Sequence, residues 1–94
     1  MSVKARFVGS LRSLSGEEIV TLELQDSLSL KEVMKRITEE KPKLNGAFVL
    51  SQPEKMRTVM LILVNGKEIS VLKGLETTIK NGDELIFVPV LHGG

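Results

Sequence analysis

The sequence predicts an α+β domain: one mixed sheet of about five strands with one main helix packed across one face. Three observations carry that prediction. Two segments near the start have strand patterning and are joined by a short connection. A capped amphipathic segment follows at residues 29–41. Strand-like runs separated by glycine turns then return between residues 59 and 90. A hairpin, a helix and further strands make up an α+β layer pair.

Each element has its own local reason. Residues 3–9 alternate apolar and basic up to Phe7, the period of a half-buried strand, with Val3, Ala5 and Phe7 inward and Lys4, Arg6 and Val8 outward. Residues 13–16, Ser-Leu-Ser-Gly, are turn material. Residues 19–24 form a second strand with Val20, Leu22 and Leu24 on one face, and the short connection predicts an antiparallel hairpin. Ser29 then opens a helix and Glu32, three residues on, closes a capping box, with Leu28 and Val33 placed as a hydrophobic staple. Leu30, Val33, Met34 and Ile37 make one buried stripe. Pro42 ends the helix by pushing Lys41 out of the helical region.

Residues 44–57 are the least regular stretch, with residues 47–50 apolar enough for a short strand or a cover segment. Residues 59–64 are apolar on both faces, as in a central strand or one that offers an apolar face to a partner. Asn65-Gly66 is a strong hairpin-turn signal leading into residues 67–71. Asn81-Gly82-Asp83 is another turn, and residues 84–90 are the last strand, with Pro89 at a strand end or edge. The first and last strands then lie parallel and adjacent.

Composition removes whole classes of function. With 94 residues the chain makes one domain. It has no cysteine, which excludes disulfides, thiolate catalysis and zinc-thiolate sites. Thirteen basic against 12 acidic residues leave a formal charge of +1, without the basic excess that direct nucleic-acid binding requires. Three Phe with no Tyr or Trp give almost no base-stacking platform. No apolar run reaches membrane-spanning length, and the first residues lack the apolar core of a signal peptide, so a cytoplasmic protein with no membrane partner is expected. No Walker-type glycine loop and no metal-ligand cluster is present, so neither a cofactor nor a metal is expected on this chain.

The sequence ends Leu91-His92-Gly93-Gly94 directly after the last strand. Glycine packs nothing and loses the most entropy when ordered, so a diglycine there is poorly explained by folding. It makes a thin tip without Cβ atoms, suited to a narrow active site. One reading is a carrier whose reactive atom is the terminal carbon of Gly94; the other is a frayed tail. His92 is the only histidine, and a tail histidine with no orienting carboxylate is a poor general base, so recognition or simple tolerance is the better reading. Asp83 and Glu84 point to opposite faces if they lie on a strand, and turn chemistry explains Asp83 better than a catalytic pair.

Three segments together resemble the ubiquitin-like β-grasp sulfur carriers: Leu63-Val-Asn-Gly-Lys67, Asn81-Gly-Asp-Glu-Leu-Ile-Phe-Val-Pro89 and Gly93-Gly94. That family includes the molybdopterin synthase small subunit, the thiamine-pathway sulfur carrier and the ubiquitin-related modifier, with archaeal small modifiers among its members. Gly82-Asp-Glu-Leu-Ile-Phe-Val-Pro89 is similar to the molybdopterin branch, and Leu91-His92-Gly93-Gly94 to the ubiquitin-related modifier. The resemblance implies a β-grasp domain over residues 1–90 and a flexible tail over residues 91–94. It implies that the Gly94 carboxylate is adenylated by an E1-like enzyme, which uses ATP, and converted by a sulfur donor protein to a thiocarboxylate. The sulfur then passes to molybdopterin, through the synthase large subunit, or to tRNA, through a thiolase. Conjugation to lysines of target proteins is the parallel fate. The chain itself is then a carrier and not an enzyme.

Six extended residues from Pro89 to Gly94 reach roughly 20 Å, enough to thread a partner's tunnel, with Leu91 and His92 at its mouth. The partner must also hold the body. Val8 and Val88 fall opposite Phe7 and Phe87 by alternation, and part of the 59–64 strand joins them. The expected docking patch is therefore Val8, Ile62 and Val88 with Arg6, rimmed by Lys4 and Glu68. Residues 42–57 are the alternative cover for that face. A ubiquitin-like interaction domain that is never activated is the competing function.

Overall fold

A computed structural model describes residues 1–90 of the chain. β1 (Ser2–Phe7) pairs antiparallel with β2 (Ile19–Glu23), and α1 (Ser10–Ser15) lies in the connection between them. A short strand, β3 (Leu28–Ser29), leads into α2 (Leu30–Glu40). A 3-10 turn at Pro42–Leu44 and α3 (Pro53–Val59) carry the chain to β4 (Met60–Val64) and β5 (Lys67–Glu68). β6 (Thr78–Ile79) pairs with β3, and β7 (Glu84–Pro89) closes the main sheet.

The main sheet has the order β2-β1-β7-β4-β5, with β1 and β7 parallel at its centre. The other pairings in it are antiparallel. This is the mixed five-stranded sheet the sequence predicts, and α2 covers one face. The capping box at the start of α2 is formed: Glu32 N–H donates to Ser29 Oγ at 3.2 Å, and Ser29 N–H donates back to Glu32 Oε1. Leu30, Val33, Met34 and Ile37 are fully buried. They meet Val3, Ala5, Phe7, Val20, Leu22, Met60, Ile62, Leu85 and Phe87 in one core.

The departures from the predicted elements are local. The serine-rich turn at residues 13–16 is the end of α1, which Gly16 terminates in the left-handed conformation at φ 80°. Residues 47–50 form no strand; they are a cover segment whose Phe48 is buried. Residues 53–59 are helical, with Pro53 in the first turn, where a missing N–H is harmless. The strand expected at residues 67–71 lasts two residues before Ile69–Val71 tightens into a 3-10 turn.

The turns at the far end of the sheet are cross-linked. Asn65, at φ 50°, and Gly66, at φ 83°, make the tight turn between β4 and β5. Asn65 Nδ2 donates to Asp83 Oδ1 at 2.9 Å, and Glu84 N–H donates to Asn65 Oδ1 at 2.9 Å. Asp83 Oδ2 accepts from Lys80 N–H at 2.7 Å. Asp83 therefore serves turn chemistry, as its sequence position predicts, and it also ties one turn to the other. No helix among the described residues is long and apolar enough to cross a membrane.

Candidate functional site

The strand registers build the sheet face opposite α2 in rows. Ile19, Arg6, Ile86, Leu63 and Glu68 are successive register partners across β2, β1, β7, β4 and β5. Leu61 and Val88 pair in the next row, and Val8 follows the Phe7–Phe87 pair on β1, its N–H donating to Phe87 O at 3.1 Å. Thr21, Lys4 and Glu84 make a polar row on the other side. Val8 is 39% exposed, Leu61 37% and Ile19 41%, while Ile86, Leu63 and Val88 are half-buried. The face thus carries Val8, Ile19, Leu61, Leu63, Ile86 and Val88 as its apolar residues, with Arg6 set among them and Glu68, Lys4 and Glu84 at the margin.

The predicted patch needs one correction. Ile62 is 1% exposed and packs in the core, so it takes no part in this surface. Side chains alternate along a strand, and Ile62 pairs with Phe87, on the helix-covered side. Its neighbours Leu61 and Leu63 supply the outer face in its place. The structure brings Val8, Val88 and Arg6 together on that face as expected. Arg6 and Lys4 have no carboxylate within salt-bridge distance among the described residues, whereas Lys41 pairs with Glu17 at 2.7 Å. A small cavity of about 140 Å³ lies between Lys4, Arg6, Ile19, Glu84 and Ile86.

Residues 42–57 do not cover this face. Leu44, Phe48 and Met56 are buried in the core instead. Phe48 packs on Phe87 with ring centroids 4.9 Å apart, and Phe87 stacks on Phe7 at 5.5 Å. The long irregular stretch therefore closes the helix side of the sheet.

The route out of the sheet is held from two sides. Val90 N–H donates to Val59 O at 2.9 Å, which ties the chain to the start of β4 just beyond the last strand residue. On the other side a Cβ placed on Gly9 would lie 3.2 Å from Pro89 Cγ, and Gly9 has φ +61°. Only glycine takes that backbone without strain while leaving room for the proline ring. Pro89 has no N–H to donate, so the β1–β7 ladder ends where Gly9 turns into α1. Pro89 is thus at the end of a central strand. The last tie on the described chain is at Val90, one residue later than the reach argued from sequence supposed.

The Urm1 (ubiquitin related modifier) family model matches residues 2–94. The chain belongs to the ubiquitin-related modifier family. It is 31% identical over 100 residues to ubiquitin-related modifier 1 of Schizosaccharomyces pombe, and the match covers 100% of both chains. Among solved structures it is similar to small archaeal modifier protein 1 of Methanosarcina acetivorans, with 29% identity, a TM-score of 0.79 and coverage of 99% of this chain and 96% of that one. It is also similar to a chain in the complex of subunits 1 and 2 of the molybdopterin-converting factor of Helicobacter pylori, at 26% identity, TM-score 0.61 and full coverage of both chains. The fold is accordingly the ubiquitin-like β-grasp that the sequence resemblance implied.

In this ubiquitin-related modifier framework β7 is the last described element, and the outer sheet face flanks its last residues. The residues expected to react and to be recognised beyond it, Leu91, His92, Gly93 and Gly94, lie outside the described residues. No group of His, Asp and Glu that could hold a metal occurs among the described residues. Leu61, Leu63, Ile86 and Ile19 are the surface residues that sequence reasoning left out. The all-apolar 59–64 run carries no alternation of its own, and it is the pairing of Ile62 with Phe87 that sets Leu61 and Leu63 on the outer face.

Proposed function

We propose that this chain is a ubiquitin-like sulfur carrier and protein modifier whose reactive group is the Gly94 carboxylate. The observation that carries the reading is the family match, which runs through residue 94 and so includes Gly93-Gly94. A carboxylate is a poor electrophile, and its oxygen must first become a good leaving group. An E1-like enzyme supplies ATP; a Gly94 carboxylate oxygen attacks the α-phosphorus, and pyrophosphate leaves. The outer sulfur of a persulfide on a donor protein then attacks the acyl carbon, and AMP leaves with the bonding pair; a thiol attacks the donor-side sulfur of the resulting acyl disulfide, which forms a disulfide and releases the thiocarboxylate. A lysine amine attacking the same activated carbonyl gives an isopeptide bond instead. This chemistry needs no catalytic group on the chain itself.

The body's task is to dock. Val8, Leu61, Leu63, Ile86 and Val88 form the surface that a partner would bury, with Arg6 and Lys4 available to carboxylates on that partner. Apolar burial contributes about 25 cal/mol per Å² before the costs of association. The similarity to a molybdopterin-converting factor subunit supports a synthase subunit as one such partner. The similarity to ubiquitin-related modifier 1 supports the parallel role as a modifier. Sulfur delivery to molybdopterin or, through a thiolase, to tRNA are the two destinations of the thiocarboxylate.

Intact-mass analysis of the protein isolated from its own cells tests this reading. Oxygen replaced by sulfur at Gly94, or Gly94 joined to a lysine of another protein, is the expected result. An unmodified carboxylate, even after incubation with the E1-like enzyme, ATP and sulfur donor, would leave a ubiquitin-like interaction domain that is never activated.

A further inference from the structure

All three asparagines of the chain precede glycine: Asn45-Gly46, Asn65-Gly66 and Asn81-Gly82. The dipeptide is the same in each case, and the surroundings differ. Asn65 uses both ends of its amide, accepting from Glu84 N–H and donating to Asp83 Oδ1. Asn81 Oδ1 accepts from Ser2 N–H at 2.7 Å, and Gly82 N–H donates to Ser2 O at 2.7 Å. Asn45 is exposed, and its side chain makes no hydrogen bond among the described residues. Gly46 N–H also has no acceptor there, and the space a Cβ on Gly46 would occupy is open.

We propose that Asn45-Gly46 is a site of spontaneous deamidation, with the other two Asn-Gly pairs protected by the hydrogen bonds that interlock their turns. The Gly46 backbone nitrogen, losing its proton to solvent base, attacks the Asn45 side-chain carbonyl carbon. A C–N bond forms, the Cγ–Nδ2 bond breaks and ammonia leaves, giving a five-membered succinimide. Water then opens the ring at either carbonyl. One opening gives aspartate; the other gives isoaspartate, in which the main chain runs through the former side chain. No oxidant or enzyme is needed.

Glycine favours this step because it places no side chain against the closing ring. Closure also requires the Asn45 backbone to leave its helical conformation of φ −53° and ψ −40°. That movement loosens a turn in which Ala47 and Phe48 N–H donate to Leu44 O at 3.0 and 2.8 Å, but it breaks no bond of the Asn45 amide or of the attacking Gly46 nitrogen. At Asn81 the attacking nitrogen must first give up its bond to Ser2, and at Asn65 the amide must leave both Asp83 and Glu84. A hydrogen bond that must break first contributes directly to the barrier, so a difference of about tenfold or more in rate is expected between Asn45 and the other two.

The consequence reaches the core. Isoaspartate adds a methylene to the main chain between Leu44 and Phe48, both buried, and Phe48 holds the segment onto Phe87. Either product adds a negative charge and takes the formal net charge from +1 to neutral.

The test is peptide mapping of the intact folded chain after incubation at mildly alkaline pH. Trypsin places the three asparagines on separate peptides by cutting after Lys43, Arg57 and Lys80. Electron-transfer fragmentation separates isoaspartate from aspartate. The same protein in denaturant gives the reference rates, expected to be similar for the three sites. Conversion of Asn45 ahead of Asn65 and Asn81 by about tenfold in the folded chain, and by less in denaturant, is the expected result. Asn65 or Asn81 converting as fast as Asn45 in the folded chain would overturn the proposal. Asn45 remaining intact while the denatured chain converts would overturn it equally. Gly46→Ala slows the Asn45 reaction alone if the mechanism is succinimide closure.

Discussion

The two faces of the central strands carry similar side chains and have opposite fates. On β4, Met60, Ile62 and Val64 are buried beneath α2, while Leu61 is 37% exposed. On β7, Leu85 and Phe87 are fully buried, while Ile86 and Val88 stay half-open. At the end of β1, Phe7 is in the core and Val8, just beyond the strand, is 39% exposed. Folding alone explains the inner face, where burial stabilises the domain. It does not explain an outer face of valine, leucine and isoleucine left in water beside the route out of β7. On the function proposed above, the hydrophobic residues on that side would complete their burial against a second protein.

Substitutions on β4 break this comparison most sharply. Ile62→Ala is expected to cost about 2–5 kcal/mol of stability, because it opens a cavity in a close-packed core. Leu61→Ala, one residue away, is expected to cost about 1 kcal/mol or less. Urea unfolding of both variants checks it; equal losses would mean that the two faces are not energetically distinct. Gly9→Ala comes next, at about 1–3 kcal/mol, because it forces a side chain into a left-handed backbone against Pro89. Its amide spectrum should change at Val8, Val59 and Val90, the residues around that contact. Val8→Ser with Leu61→Ser is expected to leave the unfolding midpoint nearly unchanged and to weaken docking to the E1-like enzyme about tenfold, read as a rise in KM with kcat kept. Arg6→Glu has the smallest effect, about 1 kcal/mol or less, and it should shrink as salt is raised.

The main sheet and α2 were legible because each rests on a local signal that the fold keeps. Alternation in residues 3–7 and 19–24, the Ser29–Glu32 box and the Asn65-Gly66 turn all agree with the tertiary structure. α1 was not legible: six residues hold too few turns for helical periodicity, and its serines read equally well as a turn. α3 carries only a weak local trace, the helix-start pair Pro53-Glu54. Ile62 was misplaced because an all-apolar strand carries no alternation to say which face is which. The neighbouring strand decides that, through the pairing of Ile62 with Phe87. The role of Phe48 rests on a contact across 39 residues of sequence, a separation over which no local pattern reports.

One assay reaches the central claim, that Gly94 is the atom-bearing end of a carrier. ATP–pyrophosphate exchange by the E1-like enzyme is measured with the full chain and with a chain lacking Gly94. Exchange that depends on the full chain and disappears on removal of Gly94 is the predicted result. Exchange that is indifferent to the removal, or that the full chain never supports, would contradict the account.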